Sequence, residues 1–573
     1  MNSSNFHPSR NIVLCFDGTN NHLDLMENDL QADTNVEIFF NALSNTEYQH
    51  VKYIAGIGCN PNSIPKNPEQ LPIEVNSTET NRETDFSFLD EVNNIVESSK
   101  KGFNKLKRMI SQADLDKDFP QLVNQLKDSI IDKFHEFDII AEYTGTGISE
   151  RIQIGYKWLA QTYQPDDRIY IFGFSRGAYT ARSLVSLISL YGLPSAEDVA
   201  DDNLVTEVYN QYRNSKKSYT DPAHSPNPII YTIPPIHFLG VWDTVGALGQ
   251  SVFGMHFNFE RFDNSFHDVN LQDNIHYAYH ALAMDDIRSS FLPTLFYRPE
   301  NWKGIDLEQV WFRGAHADIG GGYGDRRLAN ISLLWMVEKA RVAGLQFNND
   351  TLVNYPVSFD QLKMHNEYKG KLKFAVSWPR WVPTTRSTTD QDYNQSMGYL
   401  HPSVFELSQL YSNDSEWKIT ELLNVGDSVE LTIDSRKEWN PTGLILLQGN
   451  SYRIKARGKV FDFTRETDAN GWYDDDYIHR KFPRRIQEAN WMELCGIVAL
   501  QPQIRELNRN LLDWLKVALV EDPIEFRKLV FRIGKEKSII VKESGFLWLF
   551  LNDNWATYGN NKGEMNIKIT RES

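Results

Sequence analysis

Cysteine is scarce in this chain: three in 573 residues, Cys15, Cys59 and Cys495, with no CxxC pair. That excludes a disulfide framework and a thiolate zinc site, and it suits folding in a reducing cytoplasm. A run of about 18 apolar residues, enough for a helix to cross a bilayer, is also missing. Met1–Phe16 lacks the apolar core of roughly 7–15 residues that marks a secretory signal. The expectation is a protein made in the cytoplasm that, if it acts outside the cell, leaves without a cleaved signal. Basic residues are outnumbered, 59 Lys and Arg against 76 Asp and Glu, for a net charge of -17. Such a surface repels phosphodiester backbones and argues against nucleic acid as a partner. What is present, 41% hydrophobic and 24% charged residues, is the profile of a globular protein, and the length suits about two to four domains.

Short apolar runs alternate with helical periodicity over the first part of the chain. Asn11–Phe16 (NIVLCF) reads as a buried strand ending in the turn Asp17-Gly18-Thr19-Asn20. Val51–Ala55, Ile139–Tyr143, Arg168–Phe172, Ile236–Trp242 and Gln309–Phe312 read as further strands. Ile148–Tyr163, Ala178–Tyr191 and Ile331–Ala340 carry the spacing of helix faces. Strands apolar on both faces, alternating with helices, predict a parallel sheet covered by helices. Cys59–Asp138 is polar, then helical and charged, and reads as an insertion. Beyond about residue 385 the pattern changes. Thr384–Gln395 is polar and turn-rich, and from Ser428 onward alternating runs (SVELTI, LILLQG, YRIKARG, WLFLND, MNIKIT) predict an antiparallel sandwich. Gln501–Phe531 is helical in period within it. The expected division is 1–410, a linker over 411–427, and a sandwich over 428–573.

Gly173-Phe174-Ser175-Arg176-Gly177 is G-x-S-x-G between a strand and a helix. A serine on a sharp strand-to-helix turn projects its hydroxyl above the sheet edge. The backbone N–H of Arg176, at the helix start, points where an oxyanion would form. The other reading is a glycine turn with an idle serine. A nucleophilic serine needs a base and the base needs a carboxylate, each on a loop after a strand in the order acid, then histidine. Asp243 ends the strand Ile236–Trp242, and His316 follows Gln309–Phe312 in Arg313–Tyr323 (RGAHADIGGGY). Each has a plainer reading, a turn or cap aspartate and a structural histidine. His401 is the alternative base and Asp318 the alternative acid. The turn Asp17-Gly18-Thr19 is expected to give the second oxyanion donor through Gly18 or Thr19, unless Asp17 only braces the loop.

Taken in order, CFDGTNN, YIAGIG, GFSRGAYTAR, FLGVWDTVGALG, ALAMDDIR and GAHADIGGGY form a series. The series resembles an α/β-hydrolase family long catalogued as a domain of unknown function, whose best-understood members are the class-one lipase effectors of bacterial type VI secretion. The resemblance covers about residues 10–410. It implies an α/β-hydrolase fold, a triad of Ser175, Asp243 and His316, and phospholipase A-type hydrolysis of glycerophospholipid esters in a rival cell's membrane. It also implies export without a signal peptide by a type VI-like route, with a secretion-apparatus partner or an immunity protein.

Within the insertion, Leu89, Val92, Val96, Phe103, Leu106 and Ile110 fall at helical spacing beside Lys100, Lys101, Lys105, Lys107 and Arg108. That is either a basic face for an anionic bilayer or an ordinary surface helix. Near the C-terminus, Asp553, Thr557, Asn560 and Asn561 crowd oxygen donors into one turn, which suits calcium or a polar hairpin loop. Leu551–Thr570 and the runs before it resemble the small soluble bacterial galactose lectins, which have a jelly-roll-like sandwich. That resemblance implies calcium held by Asp462, Asp553, Thr557, Asn560 and Asn561. It also implies a galactose-type sugar contacted by Asp553, Asn560 and Asn561, with His479 as a further contact. Asp462 stands where that family has an aromatic residue, and Gln501–Phe531 is additional.

Overall fold

The computed structural model describes residues 9–18, 26–27, 30–57, 59–62, 147–200, 202–214, 231–245, 251–252, 255–256, 270–288, 291–298, 302–365, 377, 379–380, 382–389, 397–412, 419, 422–473, 484–498, 529–553 and 558–573. The helices expected in Cys59–Asp138 and in Gln501–Phe531, the strand expected at Ile139–Tyr143, and Thr19, Thr557 and His479 lie outside these residues.

Seven strands make the main sheet: Asn11–Phe16 (β1), Gln49–Ile54 (β2), Arg168–Phe174 (β3), Ile236–Trp242 (β4), Ile275–Ala283 (β5), Asp306–Phe312 (β6) and Tyr399–Leu400 (β7). Their spatial order is β2-β1-β3-β4-β5-β6-β7, and every pairing is parallel. Strand β1 shows why the runs are continuously apolar. Ile12, Leu14 and Phe16 enter one core layer, with a helix over 147–162 and the helix Arg176–Tyr191 (α1). Val13 and Cys15 enter the other, with Asn35–Ala42 and Arg327–Val342. Both faces are buried, so alternation of polar and apolar residues disappears.

Several strands differ from expectation: β7 has no counterpart among the expected strands, and β2 begins at Gln49 rather than Val51. Strand β6 starts at Asp306, three residues before the apolar run QVWF. Strand β5 (IHYAYHALA) was not foreseen, because histidines and tyrosines interrupt its apolar pattern. Its buried His280 is tolerated because Nε2 accepts the Thr244 N–H at 3.0 Å and Nδ1 lies 3.3 Å from Gln309 Oε1.

The C-terminal region holds separate antiparallel sheets. Ser428–Asp434, Glu564–Arg571, Ser451–Arg457 and Glu536–Ile540 form one, in that order; Asn440–Leu446, Gly545–Leu551, Leu494–Val498 and Phe531–Arg532 form the next. Along Glu564–Arg571 the burial alternates, placing Met565, Ile567 and Ile569 in a common core with Leu494, Leu547 and Leu549. A small third sheet joins Val460–Asp462 to Asn561–Lys562, with Asp462 opposite Asn561.

These sheets pack directly on the main one. Ile445 and Phe546 share a core with Leu282, Leu295, Trp311, Val382, Leu400 and Val404, and the Trp439 indole N–H donates to the Ser377 carbonyl at 2.9 Å. The start of the turn-rich stretch Thr384–Gln395 is tied down rather than free: Thr385 is buried, its hydroxyl donates to Gly398 O at 3.0 Å, and its carbonyl accepts from Leu400 N at 2.9 Å.

Candidate active site

The sheet order reverses between β1 and β3, and in open parallel sheets the crevice beyond the strand ends at such a point is where ligands bind. Ser175 lies there, between β3 and α1, with φ 58 and ψ -123. A side chain in that conformation costs about 1–3 kcal/mol, so the surroundings must impose it. They do so through close backbone contact. A Cβ on Gly173 would meet Gly177 O at 2.5 Å, and one on Gly177 would meet Phe16 O and Asp17 O at 2.4 Å. The two glycines of G-x-S-x-G therefore let α1 cross the ends of β3 and β1.

Ser175 Oγ lies 2.8 Å from His316 Nε2, and His316 Nδ1 lies 2.5 Å from Asp243 Oδ2. All three residues are buried. The partners assign the tautomer: Nδ1–H donates to the carboxylate, leaving Nε2 to accept from the serine hydroxyl. Phe174 and Phe291 pack on the imidazole, with ring centroids 4.7 and 4.9 Å away. The His316 backbone N–H donates to Asp286 Oδ2 at 3.1 Å, which fixes the loop that carries the ring.

Burial lowers the basicity of His316, and the hydrogen bond and charge of Asp243 only partly restore it. For Asp243, burial alone would raise the pKa. The Arg380 charge and the bonds from His316 and Arg380 outweigh burial and hold the carboxyl well below its usual range. Asp243 has φ 36. Its Oδ1 accepts from Ala283 N at 3.0 Å and Arg380 Nη1 at 2.7 Å; its Oδ2 accepts from Arg380 Nη2 at 3.0 Å as well as from His316.

The alternative acid and base are engaged elsewhere. Asp318 accepts from Ala315 N at 2.9 Å and His365 N at 3.0 Å, and pairs with His365 Nδ1 at 2.6 Å. It braces the loop of His316 rather than the ring. His401 caps the helix Pro402–Leu410, accepting from Ser403 N at 3.2 Å, and stacks on Phe312. Burial takes its pKa down to about 4.

Among the oxyanion donors, Arg176 opens α1. The Gly18 N–H is directed at its own neighbour, Asp17 Oδ1, at 2.6 Å. Asp17 also accepts from Thr34 Oγ1 at 2.8 Å and Tyr53 Oη at 2.5 Å, so it does brace this loop.

In the C-terminal sheets Asn561 Nδ2 donates to Asp553 Oδ2 at 2.9 Å and to Ser435 O at 3.1 Å, while among the described residues the buried Oδ1 atoms of Asn560 and Asn561 have no hydrogen-bond partner. Orphaned hard oxygens beside a buried carboxylate fit a cation of the calcium type. Among the described residues no group of three or more His, Cys, Asp or Glu has the arrangement of a metal site.

Arg380 was missed by sequence reasoning. Its signal is a lone arginine in the apolar stretch SWPRWVP, since a cation buried there needs a paired anion. Asp286 was within a quoted motif, ALAMDDIR, but its hold on the His316 backbone was not foreseen.

A family model described as the T6SS, phospholipase effector Tle1-like, catalytic domain matches residues 10–339. An uncharacterized protein of Saccharomyces cerevisiae is 25% identical over 164 residues, covering 26% of this chain and 21% of the yeast protein. Among solved structures, an uncharacterized protein from Pseudomonas aeruginosa has 17% identity and a TM-score of 0.30 over 61% of this chain and 49% of that one. The Tle1 effector bound to the VgrG spike of the Type 6 secretion system has 16% identity and a TM-score of 0.24 over 55% and 52%. The EclA N-terminal domain, a PllA-like lectin, has 18% identity and a TM-score of 0.16 over 25% and 95%. The chain thus spans about a fifth of the curated relative and about half of the first two structures. Because the family model takes in more than half of its 573 residues, the chain belongs to the type VI secretion Tle1-like phospholipase effector family.

Proposed function

We propose that this chain is a serine hydrolase that cleaves the carboxylic esters of glycerophospholipids, a phospholipase A-type antibacterial effector built on an α/β-hydrolase fold. The observation that carries the reading is the continuous row Ser175 Oγ, His316 Nε2, His316 Nδ1, Asp243 Oδ2, with steps of 2.8 and 2.5 Å. In this reading Ser175 Oγ attacks the acyl carbonyl carbon and its proton passes to His316 Nε2. Asp243 holds the ring and stabilises the imidazolium. The oxyanion lies against the Arg176 N–H, with a second donor from the Gly18–Thr19 turn once Gly18 releases Asp17. His316 returns the proton to the leaving lysophospholipid oxygen, and water activated by the same imidazole then frees the fatty acid. Burial keeps His316 neutral and hence able to accept the first proton.

Family membership supports export by a type VI route, with a spike-type or immunity protein as the partner. Among the described residues no helix is long and apolar enough to cross a membrane. The test is release of free fatty acid from phospholipid vesicles, with products identified by mass spectrometry. Ser175→Ala should lower the rate on the order of 10^4- to 10^6-fold. Full activity in that variant refutes the assignment.

A second reading concerns the C-terminal sandwich, on the observation of the two orphaned Asn oxygens. Asp553, Asn560 and Asn561 would hold calcium, with Asp462 and Thr557 completing the set. Calcium there would supply a hard charge that attracts sugar hydroxyls of a galactose-type glycan, with His479, outside the described residues, as the further sugar contact expected from the sequence. Glycan binding that persists after chelation rules this out. The rival is a glycan-binding protein whose other domain is either a scaffold, favoured if a fluorophosphonate fails to label Ser175, or a non-lipolytic esterase, favoured if Ser175 labels but no fatty acid is released from phospholipid.

A further inference from the structure

The counter-ion of Asp243 comes from outside the stretch that the family model matches. Arg380 lies beyond residue 339, yet its guanidinium takes both oxygens of Asp243, at 2.7 and 3.0 Å. Its remaining bonds go to the Ala283 carbonyl at 2.7 Å and to the Phe291 carbonyl. Both side chains of the pair are essentially inaccessible to solvent. A bidentate fork fixes orientation as well as charge. Here it decides that Oδ2 faces His316 while Oδ1 faces Ala283.

The segment carrying Arg380 is seated by the sandwich. Ser377 receives the Trp439 indole at 2.9 Å and bridges to Arg288, and Val382 packs with Ile445 and Phe546. Arg380 itself lines a cavity between the two regions together with Arg313, Pro441, Phe546 and Trp548.

We propose that Arg380 is a positioning residue for the Asp243 carboxylate, and that the C-terminal sandwich belongs to the catalytic apparatus because it seats the segment that carries this arginine. The proposal rests on Ser175 being the nucleophile. It does not rest on the lipid substrate.

The charge has a direction. Arg380 shares the negative charge of Asp243, leaving less of it to stabilise an imidazolium at position 316. Other charged groups that act on His316 are Asp286 and Arg288 from the β5–β6 connection; Asp318 of its own helix is paired with His365 instead, and His280 of β5 interacts with Asp243. They are common to wild type and variant. Replacing Arg380 by a neutral residue should therefore raise the basicity of His316. Nucleophilic attack by Ser175 needs the neutral imidazole, so the acidic limb of the pH profile should move up.

The readout is the second-order rate of Ser175 labelling by a small fluorophosphonate, from pH 5 to pH 9, on the full chain. Labelling needs the triad and no lipid, so it remains informative if phospholipid is not the substrate. Arg380→Met is expected to lower the rate on the order of 10- to 100-fold and to move the acidic limb up by about one pH unit. Arg380→Lys keeps the charge and loses the fork; its rate should fall while its limb stays near that of wild type. Trp439→Phe removes the bond to Ser377 and should slow labelling about two- to fivefold.

A purely structural arginine gives another pattern: the labelled fraction falls with the folded fraction, the limb stays put, and Lys and Met behave alike. That pattern overturns the proposal, as does Arg380→Met labelling at the wild-type rate. An unchanged rate in Trp439→Phe overturns the role of the sandwich. Wild type that does not label at any pH overturns the nucleophile reading and this proposal together.

Discussion

Two of the buried polar clusters of this chain differ in how complete they are. At the sheet edge, both oxygens of Asp243 are fully engaged by Ala283, His316 and the two arms of Arg380. In the sandwich, Asn561 spends its amide protons on Asp553 and Ser435, but its oxygen and that of Asn560 are buried with no donor among the described residues. A buried acceptor left without a donor costs about 1–3 kcal/mol. The first cluster is closed by the polypeptide alone, as the proposed catalytic role of Asp243, which must hold one geometry, requires. The second is short of a partner, which is the basis for proposing calcium there.

Breaking the closed cluster should have the largest effect. Asp243→Asn puts an amide NH2 where an oxygen accepted, favours the wrong imidazole tautomer, and leaves the Arg380 charge buried without an anion. We expect ester hydrolysis to fall on the order of 10^4-fold and stability to fall by about 3–5 kcal/mol, the latter read by urea denaturation. A variant as stable as wild type means that Arg380 finds other compensation. Filling the open cluster should have a smaller effect. Calcium at about 100 times its dissociation constant adds about 2.7 kcal/mol, seen as a rise in Tm that disappears in Asp553→Ala. Millimolar calcium that leaves Tm unmoved removes the metal from the comparison.

The contrast also explains what the sequence discloses. Ser175 is legible because strain, close crossing and nucleophilicity all demand particular residues within five positions, and Gly173 and Gly177 carry two of those demands. Asp243 and His316 are legible because a parallel sheet brings the ends of its strands to one edge, so position in the chain becomes position in space. Strand β5 was hidden because its polar residues are satisfied by tertiary partners such as Gln309, which no local pattern records. Arg380 was hidden for the same reason: its partner lies 137 residues away. In the sandwich the alternation of Met565, Ile567 and Ile569 declares a half-buried strand, whereas the proposed donors Asn560 and Asn561 can be read equally as a polar turn.

The smallest effect sharpens the comparison from the side of pH. The His316 pKa is lowered from 6.5 because burial disfavours the imidazolium, and Asp243, its charge shared with Arg380, only partly offsets this. A depressed folded-state value means the stability contribution is present above 6.5 and is lost as the pH falls through the folded value. Asp17 runs the other way. Its pKa is raised from 3.8 to about 6 by burial, so its contribution is full below about 3.8 and is lost as the pH rises through about 6. Asp17 opposes His316 on the acid side, but burial also lowers the pKa values of His401 and His280, which lose stability in the same direction as His316, so net stability should decline as the pH falls below 6.5. Activity depends on one of these groups alone, because in the proposed mechanism only His316 takes the proton. The acidic limb of kcat/KM for a short-chain ester is therefore expected below pH 6.5, with the fold intact by circular dichroism across the limb. A limb at or above pH 6.5 would mean that Asp243 acts on the imidazole with its full charge, and that the closure of this cluster by Arg380 has no electrostatic consequence.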